Sequence, residues 1–465
     1  MRYKKIIIII LIAWFGGDSY ESTSQSSSEP IDKPNVILIF ADDLGYEDLS
    51  SYSHPTIHTP RLDRMAYEGI KLTSFYAAAS VCTPSRAGLL TGRYPVRIGM
   101  PGNLGPYSKG GLSKEERTLA EALGENGYRT AAFGKWPLGA VPGYMPTDRG
   151  FDRYFGILYS NDMMPPWLNT QRPLHLYLDN EPTSEFPVDQ TTLTKRYTDA
   201  AIRVIEDPDE RPFFIYLPHS MPHLPVFASA SFQNKSKGGR YGDVIEEIDA
   251  NVGRILDALE NQKKDKNTIV IFTSDNGPWR NMPPRMYETE PVEKWHGGTT
   301  GPLRGAKATS YEGGYRVPCI IRWSGFIQPG QVNAEIATTM DLHATILKLT
   351  RTNGPSKGLD GKDIWPMITK NQPSPHLYYH YFTGSRIDGV RSNEWKIRIA
   401  PPASDWSSPE LQSGSEKVRL ELFNLKKDSY EQFDLSKEYP EIVITLKNEM
   451  EIMTKELNAT MAISH

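Results

Sequence analysis

Several stretches of this chain share one design, a short unbroken apolar run that stops at polar or charged residues. Asn35–Phe40 runs into Asp42 and Asp43, and Thr268–Phe272 runs into Ser274, Asp275, Asn276 and Gly277. Arg129–Phe133 leads to Gly134, Lys135 and Trp136, while Pro212–Leu217 leads to His219 and His223. Continuous apolar runs are what strands buried on both faces require. Between them lie helical patterns, notably Thr118–Gly127, Thr194–Glu206 and Tyr241–Leu259. Strands alternating with helices predict an α/β fold with a large, mainly parallel sheet sandwiched by helices, and such sheets place ligand groups beyond the carboxyl ends of their strands.

At 465 residues the chain exceeds a single core, so a large domain with an appendage is expected. A boundary near Asn371-Gln372-Pro373 divides a catalytic domain, residues 33–372, from a C-terminal α+β subdomain, residues 373–465. The latter carries the β-rich segments His380–Phe382, Trp395–Ile399 and Leu420–Leu425, then a helix from about Pro440, and predicts a small antiparallel sheet plus helix. Residues 1–17 read as a signal peptide, with Lys4 and Lys5 ahead of the apolar run Ile6–Phe15, and residues 18–32 as a Ser-rich linker. That run is too short to span a membrane, so export to the periplasm or the exterior is expected, without a stable membrane span. The 52 basic and 56 acidic residues leave a net charge of −4 with no block of one sign, which argues against nucleic acid and makes any anion chemistry local. The two cysteines, Cys82 and Cys319, exclude a disulfide framework. Cys319 lies in the apolar run Val317–Ile321, which reads as a buried strand.

Cys82-Thr83-Pro84-Ser85-Arg86, followed by Ala87–Arg93, sets a nucleophile, a helix start and a fixed cation within a dozen residues. Pro84 suits the first turn of a helix, where a missing N–H costs nothing. Residue 82 then sits at the positive end of a helix dipole, a favourable place for anionic groups. Asp42, Asp43, Asp275 and Asn276 offer only hard oxygen donors, which suits Ca²⁺ or Mg²⁺. An acidic pair after a strand also serves as a helix cap or turn former; two such pairs at equivalent strand ends favour one shared cation.

The Cys82–Arg86 run resembles the signature of the formylglycine-dependent (type I) sulfatases, and Pro95–Met100 with Gly111-Leu112 point to the branch containing arylsulfatase A and N-acetylgalactosamine-6-sulfatase. The resemblance implies an alkaline phosphatase-like fold and oxidation of Cys82 by a maturation enzyme to Cα-formylglycine, whose hydrated aldehyde attacks sulfur. It assigns Asp42, Asp43, Asp275 and Asn276, with the side chain at 82, to the metal. Lys135 in Gly134–Gly139 and Lys307 in Leu303–Lys307 would bind sulfate oxygens, Arg86 would steady the nucleophile and metal shell, and His223 in Pro222–Pro225 would assist the leaving oxygen. Ser160 matches a substrate-contacting serine, and His296 is assigned to the substrate rim. The implied activity is a sulfuric ester hydrolase acting on a sulfated glycan or a small sulfate ester.

One position departs from the family. Its second signature reads Lys-x-His-Leu-Gly, and here the histidine is Pro137. Proline supplies neither an imidazole nor an N–H, and losing one such group costs about 10²–10³-fold in rate. His219 is a nearby residue that could substitute. A phosphoric ester hydrolase of the same superfamily, and a sulfatase-like glycan-binding protein disabled at Pro137, stay open as alternatives.

Overall fold

The structure is a computed structural model that describes residues 33–290, 292–355, 358–400 and 419–463. The expected signal peptide and the linker before residue 33 lie outside the described residues.

Twelve strands build the large body: β1 (Asn35–Ala41), β2 (Ile70–Leu72), β3 (Phe75–Tyr76), β4 (Arg129–Lys135), β5 (Arg153–Ile157), β6 (Tyr177–Leu178), β7 (Glu181–Pro182), β8 (Phe213–Pro218), β9 (Thr268–Ser274), β10 (Cys319–Arg322), β11 (Gln331–Asn333) and β12 (Ala337–Thr338). Among the described residues, ten of them form one sheet in the order β11-β2-β10-β9-β1-β8-β4-β5-β6-β7, while β3 pairs with β12. The central five, β9-β1-β8-β4-β5, are parallel. Every residue of β1, β8 and β9 is buried, as their apolar runs require. The run at Cys319 is the antiparallel neighbour of β9, a direction that an apolar run does not encode.

Two groups of helices pack against this sheet. Leu193–Glu206 packs on Gly239–Asn261, which packs on Pro60–Tyr67; Cys82–Thr91 packs on Thr339–Leu349 and on Leu119–Glu125. The helix predicted at Thr118 begins there because the Thr118 hydroxyl accepts from the Glu121 amide while the Glu121 carboxylate accepts from the Thr118 amide. All of Cys82–Thr91 is buried, and the helix ends at Gly92 with φ of 68°.

The C-terminal sheet comprises β13 (Tyr379–Thr383), β14 (Arg386–Arg391), β15 (Trp395–Ala400) and β16 (Arg419–Asn424), all antiparallel, followed by the helix Pro440–Ile463. It docks through Tyr379, Tyr381 and Phe382, which join Tyr76, Tyr94 and Tyr315 of the large body and Met453 and Leu457 of the last helix in one buried cluster. Each such side chain removed from water contributes about 1.5–3 kcal/mol, so this sheet is a fixed part of the structure that carries the site.

Candidate active site

Strand register assembles the centre. Ala41 lies opposite Ser274, so Asp42-Asp43 and Asp275-Asn276 leave the sheet at the same level on neighbouring strands. The Asp43 amide donates to Asp275 Oδ1 at 3.0 Å, and Asn276 Nδ2 donates to Asp43 Oδ1 at 2.7 Å. Lys135 is the last residue of β4, one strand beyond β8, and its Nζ lies 2.5 Å from Asp42 Oδ2. Gly134 makes this close: at φ of 140°, a Cβ there would meet the Pro218 carbonyl oxygen at 1.8 Å.

Cys82 is the first residue of its helix. Its Sγ lies 3.4 Å from Asp42 Oδ1, 3.9 Å from Asp43 Oδ1 and 3.3 Å from Lys307 Nζ. Lys307 also reaches Asp43 Oδ1 at 2.7 Å. One turn along the helix, Arg86 donates through Nε and Nη2 to Asp275 Oδ2 at 2.9 and 2.8 Å and lies 3.4 Å from Asp42. His223 Nε2 is 3.6 Å from Asp43 Oδ2, while Nδ1 is 2.7 Å from the Leu224 carbonyl oxygen. That carbonyl requires an Nδ1–H donor and turns Nε2 towards the centre. Asp42, Asp43, Cys82 and His223 present ligand atoms that all lie within 4.8 Å of one another.

Burial and charge oppose one another here. Burial pushes the Asp42 carboxyl up, but Lys135 and then Arg86 outweigh it and hold the group well below the usual carboxylate range. Burial raises Asp43 in spite of Lys307, and raises Asp275 to about 7 in spite of Arg86. Burial also pushes the Cys82 thiol up, so residue 82 carries no charge as a thiol. His223 is drawn well below its ordinary value by burial, then by Lys307 and Lys135. Three carboxylates face three permanent cations, Arg86, Lys135 and Lys307.

A cavity of about 630 Å³ opens onto this centre, with His223 and Lys307 in its wall and Val81 and Pro84 flanking residue 82. Ser160 lines it as well. His296 is not among its lining residues; its Nδ1 accepts from the Glu293 amide at 3.0 Å, within its own turn. A larger cavity, about 840 Å³, lies against Arg129, Arg153 and the helix Leu193–Glu206, and none of the site residues lines it. The chemistry therefore marks the smaller one.

His219 is neither in this group nor in the cavity wall, and its ring centroid lies 6.4 Å from that of Tyr197. His223 is the imidazole gathered with Cys82. Pro137 is buried, and its carbonyl accepts from the Thr83 hydroxyl at 2.9 Å, so the departure lies against the residue after Cys82. Trp279, not singled out from sequence, joins the site, its ring 5.3 Å from that of His223 and 4.9 Å from Lys307 Nζ. Its signal was its place two residues beyond Gly277. Thr383 and Gly384, equally unmarked in sequence, bring the C-terminal sheet to the cavity wall.

A family model described as Sulfatase matches residues 34–352, and one described as N-sulphoglucosamine sulphohydrolase, C-terminal, matches residues 306–462. Human (Homo sapiens) arylsulfatase A is 37% identical over 92% of this chain and 89% of its own length. The N-acetylgalactosamine-6-sulfatase of Mus musculus is 36% identical over 87% of this chain and 82% of its own length. A crystal structure of Ps i-CgsB in complex with k-i-k-neocarrahexaose superposes with a TM-score of 0.74 at 28% identity, covering 91% of this chain and 93% of that one.

Proposed function

The chain belongs to the sulfatase family and is a sulfuric ester hydrolase, and from that premise we propose that it removes sulfate from a sulfated carbohydrate through Cα-formylglycine formed at Cys82, with a bound divalent cation. The observation that carries this is the convergence of Lys135, Lys307, Arg86 and His223 on residue 82 at a buried helix N-terminus.

The residues present fit the cation. Asp42, Asp43, Asp275 and Asn276 supply hard oxygens, and among the described residues Asn276 Oδ1 is buried with no hydrogen-bond partner, a spare acceptor that costs stability unless a cation or donor uses it. They would hold Ca²⁺, or Mg²⁺, together with the side chain at 82, and the cation would supply Lewis-acid polarisation of the sulfate. The aldehyde hydrate would supply the nucleophilic oxygen that an uncharged thiol lacks.

The protein's own groups do the rest. Lys135 and Lys307 set ammonium groups where the sulfate oxygens arrive and balance their charge without reorganisation. Arg86 fixes Asp275 and steadies Asp42. His223 directs Nε2 at the same spot and gives a proton to the departing alcohol oxygen. The arriving anion offsets the two lysines and favours the imidazolium. Ser160 contacts the substrate from the cavity wall.

Export to the periplasm or the exterior follows from the N-terminal apolar segment, and among the described residues no helix is long and apolar enough to cross a membrane. The partners are then an extracellular sulfated glycan and a formylglycine-generating enzyme. Pro137 favours a second reading, a sulfatase-like glycan-binding protein with impaired turnover, because its ring brings no proton donor to residue 82.

The test uses protein co-expressed with a formylglycine-generating enzyme, offered 4-nitrocatechol sulfate and 4-nitrophenyl phosphate in parallel. Sustained sulfate release with little phosphate release is expected. Preferred phosphate release would overturn the reading in favour of a phosphoesterase, and binding of sulfated glycan without release would favour the second reading.

A further inference from the structure

The wall beside His223 carries a charged pair outside the residues assigned to the cation and to the sulfate oxygens. Asp162 and Arg285 both line the cavity. Asp162 is 3% exposed, and its Oδ2 accepts from Arg285 Nη2 at 3.1 Å. Arg285 is anchored a second time, through Nη1 to the Trp167 carbonyl at 3.0 Å. Of the two carboxylate oxygens of Asp162, Oδ2 is the one that Arg285 engages. The neighbouring Asn161 is fully buried and donates through Nδ2 to the carbonyls of Pro225 at 3.0 Å and His223 at 3.4 Å. Asp162 is thus held at a set place relative to the histidine that meets the leaving oxygen.

We propose that Asp162, oriented by Arg285, is the specificity-determining residue that accepts a hydrogen bond from a free hydroxyl on the ring bearing the sulfate, so that the site selects a polyhydroxylated sugar sulfate over an aryl sulfate. The inference rests on the sulfatase reading above. The leaving oxygen departs towards His223, so the ring that carries it occupies the part of the cavity next to Asp162. A carboxylate already fixed by a guanidinium gains a charge-assisted bond from a sugar hydroxyl without having to be ordered first. Trp279, packed on His223, offers an apolar face for the same ring. A pocket built around a buried acceptor discriminates against substrates that leave the acceptor unpaired.

The test compares aldehyde-bearing wild type and Asp162→Asn, full chain and metal-loaded, on a panel of monosulfated hexoses and on 4-nitrophenyl sulfate, which has no ring hydroxyl. The ratio of kcat/KM for the best sugar ester to that for the aryl ester should fall about ten- to a hundredfold in the variant. Should Asp162→Asn fail to fold, Asp162→Glu keeps the charge for Arg285, moves the acceptor by one methylene, and should lower the same ratio. An equal loss on both substrates would overturn the proposal, since Asp162 would then act only through His223, and so would no change in the ratio. Wild type active on the aryl ester but on no sugar ester would also overturn it, while wild type inert on both would sink the sulfatase reading itself.

Discussion

Among the described residues, two buried clusters of charge can be compared, and they differ in what their cations surround. At the joint with the C-terminal sheet, Glu312 accepts from Lys396 Nζ at 3.0 Å, Tyr381 at 2.7 Å and Tyr76 at 2.6 Å, and Lys396 lies 2.8 Å from Glu431. Burial opposes ionisation of Glu312, but Lys396 and Arg391 hold its carboxyl down to about 2. The centre around Cys82 is as deeply buried and as densely charged, yet there an uncharged thiol sits among three cations, and a cavity of about 630 Å³ opens beside it. Burial and charge density alone do not mark a site. A thiol at the start of a fully buried ten-residue helix, set among three cations beside a cavity, does.

Replacing the central atom should separate the two regions most sharply. Cys82→Ala should remove sulfatase activity, on the order of 10³-fold or more, while costing only about 1 kcal/mol of stability, as expected for a small buried side chain. Turnover and the denaturation midpoint of the same preparation check this. The converse holds at the joint: Lys396→Met leaves Glu312 and Glu431 facing each other in the interior and should cost about 3–5 kcal/mol. Denaturant unfolding measures that loss, and a variant as stable as the parent would show that the joint's charges are dispensable.

A smaller effect tests the departure. Pro137→His should raise turnover by about 10²–10³-fold if the missing imidazole limits the rate. Steady-state kinetics on 4-nitrocatechol sulfate would show it, and an unchanged rate would mean that His223 and the lysines suffice. The smallest effect concerns groups outside both clusters. Burial pulls His219 and His343 down to about 4 from an ordinary 6.5. The unfolded chain therefore binds more protons between these values, and stability should fall as pH drops from 6.5 to 4, by about 1–3 kcal/mol per histidine. Unfolding midpoints across that range test the sign.

What could be read from sequence follows the same division. Strands β1, β8 and β9, and the chemistry at their ends, were legible because strands buried on both faces write continuous apolar runs. Strand β14, Arg-Ile-Asp-Gly-Val-Arg, has no such run and takes its place from pairing with β13 and β15. The Cys82, Lys135 and Lys307 positions were legible through motif alone, since their meeting depends on strand register and loop path. The wall formed by Asp162 and Arg285 joins residues 123 positions apart, a contact that neither periodicity nor motif announces.

The most direct measurement is sulfate released per molecule across preparations with graded conversion of Cys82, the aldehyde fraction being read by mass spectrometry of the residue-82 peptide. Activity should be proportional to the aldehyde fraction, passing through zero when Cys82 is intact. Substantial hydrolysis by fully unconverted protein or by Cys82→Ala would contradict it.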